Sequence, residues 1–165
     1  MMVLIRTFES VEWRKYRAVR LQALQDSPDA FGSTYIESVK YPDEQWLSRL
    51  ESINPVSDLP LGAFVSDMAV GLAWGRIEPD HPGRADLYQM WTSPEYRGQG
   101  IGKKLLTESI SWARQQQARD LYLGVTMGNS MAAQLYVNAG FESVGEPELL
   151  RPGSDKLIQN MRLGL

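Results

Sequence analysis

Residues 93–104 read Ser93-Pro94-Glu95-Tyr96-Arg97-Gly98-Gln99-Gly100-Ile101-Gly102-Lys103-Lys104. Before them, Ala85–Thr92 has the composition of a strand, and Ser93-Pro94 ends it. After them a helix is expected from near Gly100 to about Gln117, with Ile101, Leu105, Ile110 and Ala113, and Trp112 beside them, on its apolar side. Three glycines at alternate positions let the backbone turn sharply and bring N–H groups close to a ligand. The helix presents its first unpaired N–H groups and the positive end of its dipole to the same place. Such a strand–turn–helix is an anion site, and a phosphate or pyrophosphate is its natural occupant. Arg97, Lys103 and Lys104 add positive charge.

Two well-known phosphate motifs fail here. A P-loop needs glycine where this chain has Arg97, and serine or threonine where it has Lys104. A dinucleotide fingerprint begun at Gly98 needs a third glycine where Lys103 stands; begun at Gly100, it meets Leu105.

Outward from the turn, the chain alternates strands and helices. Val3–Phe8 reads as a strand, followed by a helix over about 11–25, capped by Ser10, with Val11, Val19, Leu21 and Leu24 among its apolar positions. Ser27–Gly32 breaks it, and Pro42 opens a short helix through about Leu50. Leu61–Ser66 and Val70–Ile77 form a hairpin. Beyond the long helix come a strand at Leu121–Val125, a short helix at Ser130–Asn138, a helix stop at Ala139-Gly140-Phe141 leading to another strand, and a last strand at Leu157–Leu163. No repeat or linker interrupts this order, so residues 1–165 are expected to form one α/β domain around a mixed sheet.

Composition narrows the chemistry. The 165 residues suffice to bury about 70% of the surface of the unfolded chain without a metal or disulfide staple. There is no cysteine, which excludes a thiol nucleophile, a disulfide and any Cys-ligated metal. The single histidine, His81, sits in the turn-forming stretch Pro79-Asp80-His81-Pro82-Gly83 and reads as solvated loop. The net charge of −3 argues against a duplex nucleic-acid binder. No apolar run approaches a membrane span and no signal-peptide pattern opens the chain, so a cytoplasmic setting is the expectation. Chemistry is left to backbone groups, carboxylates and tyrosine.

Arg97-x-x-Gly100-x-Gly102 resembles the acyl-CoA pyrophosphate loop of the GNAT superfamily of N-acetyltransferases. A second block supports the resemblance: Asn129-x-x-Ala132-x-x-Leu135-Tyr136-x-x-x-Gly140-Phe141, beginning 27 residues after Gly102. With the element order, the likeness covers nearly the whole chain. It implies a mixed, mostly antiparallel twisted sheet of about seven strands with helices on both faces. It also implies acetyl-CoA as co-substrate, no metal, and direct transfer to the amine of a small molecule or protein. In the family, N–H groups of the loop, here Arg97, Gly98, Gln99, Gly100, Ile101, Gly102 and Lys103, bind the pyrophosphate. The preceding strand splays from its neighbour and pairs with the pantetheine arm, here at Met90 and Thr92, as an added strand would. Asn129 matches a pantetheine contact, and Tyr136 matches the tyrosine beside the thioester sulfur. A backbone N–H at Trp91 or Thr92 would stabilise the oxyanion.

An alkylammonium must lose a proton before it can attack, which costs about 4–5 kcal/mol at pH 7. Asp86, eleven residues before Arg97, lies where some family members carry a general-base glutamate, and period two puts it on one strand face with Tyr88, Met90 and Thr92. Pairing with Arg84 or Arg76 is the structural alternative for this carboxylate, and base action through water suits its short side chain. Acceptor pockets in the superfamily come from the first two helices and the late strands. Here Phe31, Tyr35 and Trp46 would wall a pocket and Asp29 and Glu37 would hold a cation, while a core role for the aromatic residues is the simpler alternative. Arg20-Leu21-Gln22-Ala23-Leu24 through Ala30-Phe31-Gly32 is similar to the openings of many small bacterial members and fixes no substrate. If the chain forms the homodimers common in the family, the last strands with Leu149-Leu150 would supply the interface. An acyl-CoA sensor without turnover, and a different acyl group, stay open at this point.

Overall fold

A computed structural model describes residues 2–165. Eight strands build one sheet: β1 (Leu4–Thr7), β2 (Asp58–Val65), β3 (Met68–Ile77), β4 (Arg84–Thr92), β5 (Asp120–Thr126), β6 (Glu142–Ser143), β7 (Glu148–Leu149) and β8 (Leu157–Gly164). Across the sheet the order is β1-β2-β3-β4-β5-β8-β6, with β7 also on β8. The two-residue strands β6 and β7 pair with successive parts of β8, so eight strands fill the expected seven positions. Only β4 and β5 run parallel.

Five helices cover the sheet: α1 (Trp13–Asp26), α2 (Tyr35–Ser38), α3 (Asp43–Glu51), α4 (Ile101–Gln115) and α5 (Ser130–Asn138). On one face, Tyr16, Val19, Ala23 and Leu24 of α1 recur at helical spacing and bury against Trp46 and Leu50 of α3 and against Phe64, Leu72 and Trp91 of the sheet. On the other, Ile101, Leu105, Leu106, Trp112 and Ala113 of α4 cover Ala63, Val70, Ala73 and Leu87, with Tyr136 of α5 in the same cluster. The helix expected over 11–25 starts later. Ser10–Glu12 is a 3-10 turn, so Ser10 lies within the turn and is not its cap, and Val11 is exposed. The one-turn helix α2 carried no periodicity long enough to be read.

The cap is made by Glu12 instead: its carboxylate accepts the Glu9 N–H at 3.0 Å and two bonds from Arg6 at 2.8 and 2.9 Å. The Arg6 hydrogen bonds, against the opposing effect of burial, bring the Glu12 carboxyl down to about 2. A carboxyl depressed by folding contributes stability above its unfolded value near 4.5 and loses it as pH falls toward the folded one. Because Arg6 is a third exposed, the contribution is discounted to about 1–2 kcal/mol. Glu12→Gln is expected to show that deficit in urea unfolding at pH 7 and a shrinking deficit between pH 5 and pH 3. A deficit that does not change with pH would separate Glu12 from the acid sensitivity.

Candidate active site

The ladder between β4 and β5 holds only at Arg84↔Asp120, Ala85↔Leu121 and Asp86↔Tyr122. Beyond it the two strands diverge, and a cleft of about 750 Å³ lies between them, lined by Leu87–Met90, Leu123–Thr126, Asn129 and Tyr136 among others. A bulge in β4 accompanies the divergence. Leu72 faces Trp91 and Trp74 faces Tyr88, so two residues of β4 stand opposite Ala73. Gln89 occupies the bulge with φ +61°, and the Tyr16 hydroxyl donates to its Oε1 at 2.7 Å.

That extra residue breaks the period-two reading of β4. Asp86 and Tyr88 share a face with Trp91, which buries among the α1 and α3 side chains. Met90 packs against the opposite cluster, and Thr92 stands across from Gly71, where a side chain would point toward Ile101 of that cluster. Asp86, Met90 and Thr92 therefore do not lie on one face. A strand without a glycine or proline at the bulge gave no warning of it.

The glycine turn forms as expected. Gly98 and Gly100 have φ +76° and +79°, with open space where a side chain would stand. Gly100 is the N-terminal cap of α4 in the left-handed conformation. The amides of Tyr96, Arg97 and Lys104 donate to Ser93, Pro94 and Gly100 carbonyls. Among the described residues the amides of Gly98 through Lys103 have no such backbone partner, so the free N–H groups begin one residue later than expected. The Arg97 side chain is engaged as well. Its Nε donates to the Thr92 carbonyl at 3.0 Å and its Nη2 to Asp26 at 2.6 Å. Asp26 also accepts from the Trp91 indole at 3.1 Å. Burial opposes ionisation of Asp26, but bonds from Ser27, Trp91 and Arg97 hold its carboxyl below the ordinary value. Arg97 thus ties the turn to the end of α1, and Lys103 and Lys104 remain exposed beside the free amides.

At Gly102 a side chain's Cβ would stand 3.5 Å from Leu135, so the glycine leaves room for α5 close beside the turn. Asn129 caps α5 by accepting the Ala132 N–H at 3.2 Å, leaving its amide NH₂ to donate into the cleft it lines. Tyr136 lines the same cleft, edge-on to Phe141 at 5.9 Å and only 6% exposed. Burial pushes its phenol up to about 12. Asp86 reaches the cleft too, but Arg84 clamps its carboxylate, with contacts of 2.9 Å from Nη2 and 3.2 Å from Nε.

On the acceptor side the expectations divide. Phe31 is buried and lines the cleft. Trp46 does not wall a pocket; it is fully buried between Tyr16 and Tyr41, because the apolar stripe of α3 faces α1. Tyr35 packs beside the same cluster, and Asp29 and Glu37 are exposed; none of the three lines the cleft. Arg20, which sequence reasoning did not single out, does line it, with its guanidinium 4.6 Å above the Phe31 ring. Both residues belong to the Arg20-to-Phe31 opening segment, whose two ends stack in the structure. Arg151 holds the loop between them, donating to the Phe31 carbonyl at 2.7 Å.

Among the described residues no group of three or more His, Asp or Glu side chains could hold a metal ion, and no helix is long and apolar enough to cross a membrane. The family model described as "Acetyltransferase (GNAT) family" matches residues 20–141. A mycothiol acetyltransferase of Thermobispora bispora is 27% identical over 148 residues, covering 84% of this chain and 46% of its own length. The N-alpha-acetyltransferase RimI of Mycobacterium tuberculosis is 34% identical over 86 residues, 52% of either chain. The chain spans from about a quarter to about half the length of the first curated relatives it matches. A Salmonella typhimurium structure solved with acetyl-CoA shares the fold at a TM-score of 0.81 and 17% identity, over 99% of this chain and 94% of that one.

Proposed function

The chain belongs to the acetyltransferase (GNAT) family, and on that premise we propose that it transfers the acetyl group of acetyl-CoA directly to a primary amine, of a small molecule or a protein, in one ternary complex. The observation that carries this reading is the opening between β4 and β5 with Tyr136 and Asn129 on its wall. The free amides of Gly98–Lys103 suit a pyrophosphate. The unpaired backbone beyond Asp86 suits the amide groups of a pantetheine arm, and Asn129, which lines the same cleft, would donate to it. The amide of Trp91 or Thr92 would support the carbonyl oxygen as charge develops there.

The acceptor loses its proton through water toward Asp86, whose carboxylate is paired with Arg84 at the edge of the cleft. Tyr136 donates a hydrogen bond to the departing sulfur. A chain without cysteine cannot hold the acetyl group on sulfur, which favours transfer within a ternary complex.

Thiol release from acetyl-CoA over a panel of amines, set beside calorimetric binding, tests the proposal. Binding with release accelerated by at least one amine class is the expected result. Tight binding that no amine converts into release would make the protein a sensor of acyl-CoA instead.

A further inference from the structure

Arg20 is 5% exposed, and its Nη1 is buried without a hydrogen-bond partner. No carboxylate pairs with it among the described residues. Burial, with the neighbouring Arg49 adding repulsion, lowers its guanidinium to about 10. A buried cation in this state destabilises the fold unless an anion reaches it. Its position indicates where that anion comes from. Arg20 lines the main cleft and also a smaller recess of about 360 Å³ next to it, and the two share Ser33, Tyr88 and Gln89.

The recess carries further positive charge. Arg49 lines it, stacked over Tyr41 and Trp46 at 5.1 and 4.9 Å, with no ion pair among the described residues. The acid in its wall, Asp58, is taken by Arg76 at 3.0 Å and by the Trp74 indole at 3.1 Å. On the cleft side, Asp86 is taken by Arg84. Of the three arginines lining this recess of small-molecule size, Arg76 is paired with acids, Arg20 and Arg49 are not, and the carboxylate in its wall is already committed.

We propose that Arg20 and Arg49 form an anion seat for the acceptor, so that the amine acetylated by this chain carries a carboxylate. The proposal rests on the acetyl-transfer reading above and narrows its substrate class. A planar carboxylate matches the guanidinium fork, and the Phe31 ring lies 4.6 Å from the Arg20 guanidinium carbon.

The test is a ladder of glycine, β-alanine, γ-aminobutyrate and 6-aminohexanoate, each compared with its own amide in the thiol-release assay. The acid is expected to exceed its amide in kcat/KM by roughly ten- to a hundred-fold at the length that spans seat and thioester, the effect of one charge-assisted hydrogen bond. In Arg20→Met that ratio falls toward one, while the thermal midpoint holds or rises because an unpaired buried cation has been removed. Equal rates for acid and amide at every length would overturn the proposal. So would an Arg20→Met protein that loses thermal stability and slows acids and amides alike, or a wild-type preference for O-phosphoethanolamine over every acid. If no amine releases thiol, the transfer reading fails on its own. Calorimetry of the acid ladder on the coenzyme A complex then decides the seat: binding that Arg20→Met abolishes supports it, and no binding removes it.

Discussion

Replacing Tyr136 by phenylalanine is expected to lower kcat by about a hundred-fold or more while leaving the acetyl-CoA dissociation constant within about three-fold. The phenyl ring keeps the edge contact with Phe141 and the place of α5 in the core, so the fold survives. What disappears is one hydrogen-bond donor, in a place where burial has nearly excluded water. Removing a donor aimed at developing charge in such a site costs on the order of 10²–10³ in rate. With the phenol pushed up to about 12 by burial, a thiolate of ordinary pKa near 8.5 takes its proton only uphill, by about 5 kcal/mol. Under the proposed transfer, Tyr136 would support the leaving sulfur with a hydrogen bond, and the thiolate would be protonated later by solvent. The pH profile carries the same signature. A raised pKa moves loss of the donor to higher pH, so the wild-type rate keeps its dependence on Tyr136 up to about pH 11. A limb near pH 10 that vanishes in Tyr136→Phe, or equal losses in kcat and in acetyl-CoA affinity, would contradict this role.

Gln89→Val is expected to lower stability by about 3 kcal/mol and to weaken acetyl-CoA binding in whatever protein still folds. Two effects add. Glutamine already bears the left-handed backbone at φ +61°, and a β-branched residue bears it worse, at a further cost of about 1 kcal/mol. The Tyr16 hydroxyl, on a side chain that is 1% exposed, loses its acceptor, which costs about 1–3 kcal/mol. Gln89→Gly separates them, since glycine relieves the backbone and still strands the hydroxyl; it should lose about 1 kcal/mol less than the valine variant. Urea unfolding measures both, and calorimetry with acetyl-CoA reads the cleft. Stability within about 1 kcal/mol of wild type for Gln89→Val would mean that this pair does not hold the bulge. Unchanged affinity in the folded variant would mean that the bulge does not shape the opening.

The local features of this fold were legible in the sequence. The glycine turn, the start of α4 and both ends of α5 follow from residues that sit side by side, and the structure has them as read. The missed features depend on partners far apart in the chain. Arg97 looks free beside its glycines, yet its partner Asp26 is 71 residues away. Gln89 is an unremarkable strand residue until Tyr16 arrives from α1, and only then does the face of Asp86 part from that of Met90. Trp46 could wall a pocket or fill a core, and the direction of the α3 stripe decides for the core. Arg20 falls on the buried face of α1, where helical periodicity expects an apolar side chain, and nothing local marks it as a charge without a partner.

The three residue pairs that join β4 to β5 also have a mechanical meaning. In hydrogen-bond terms the sheet is two half-sheets, β1–β4 and β5–β8, stapled at one end and open at the other. A molecule that lays its own amides along the open end acts as a splint as well as a reactant. Splinting adds about 2.7 kcal/mol when the ligand stands at a hundred times its dissociation constant. Amide hydrogen exchange along 87–92 and 123–126 would then slow as the splint goes in. If the proposed co-substrate is that splint, the folded chain is expected to be more stable with acyl-CoA bound than without it, and loosest along this same edge when it is empty.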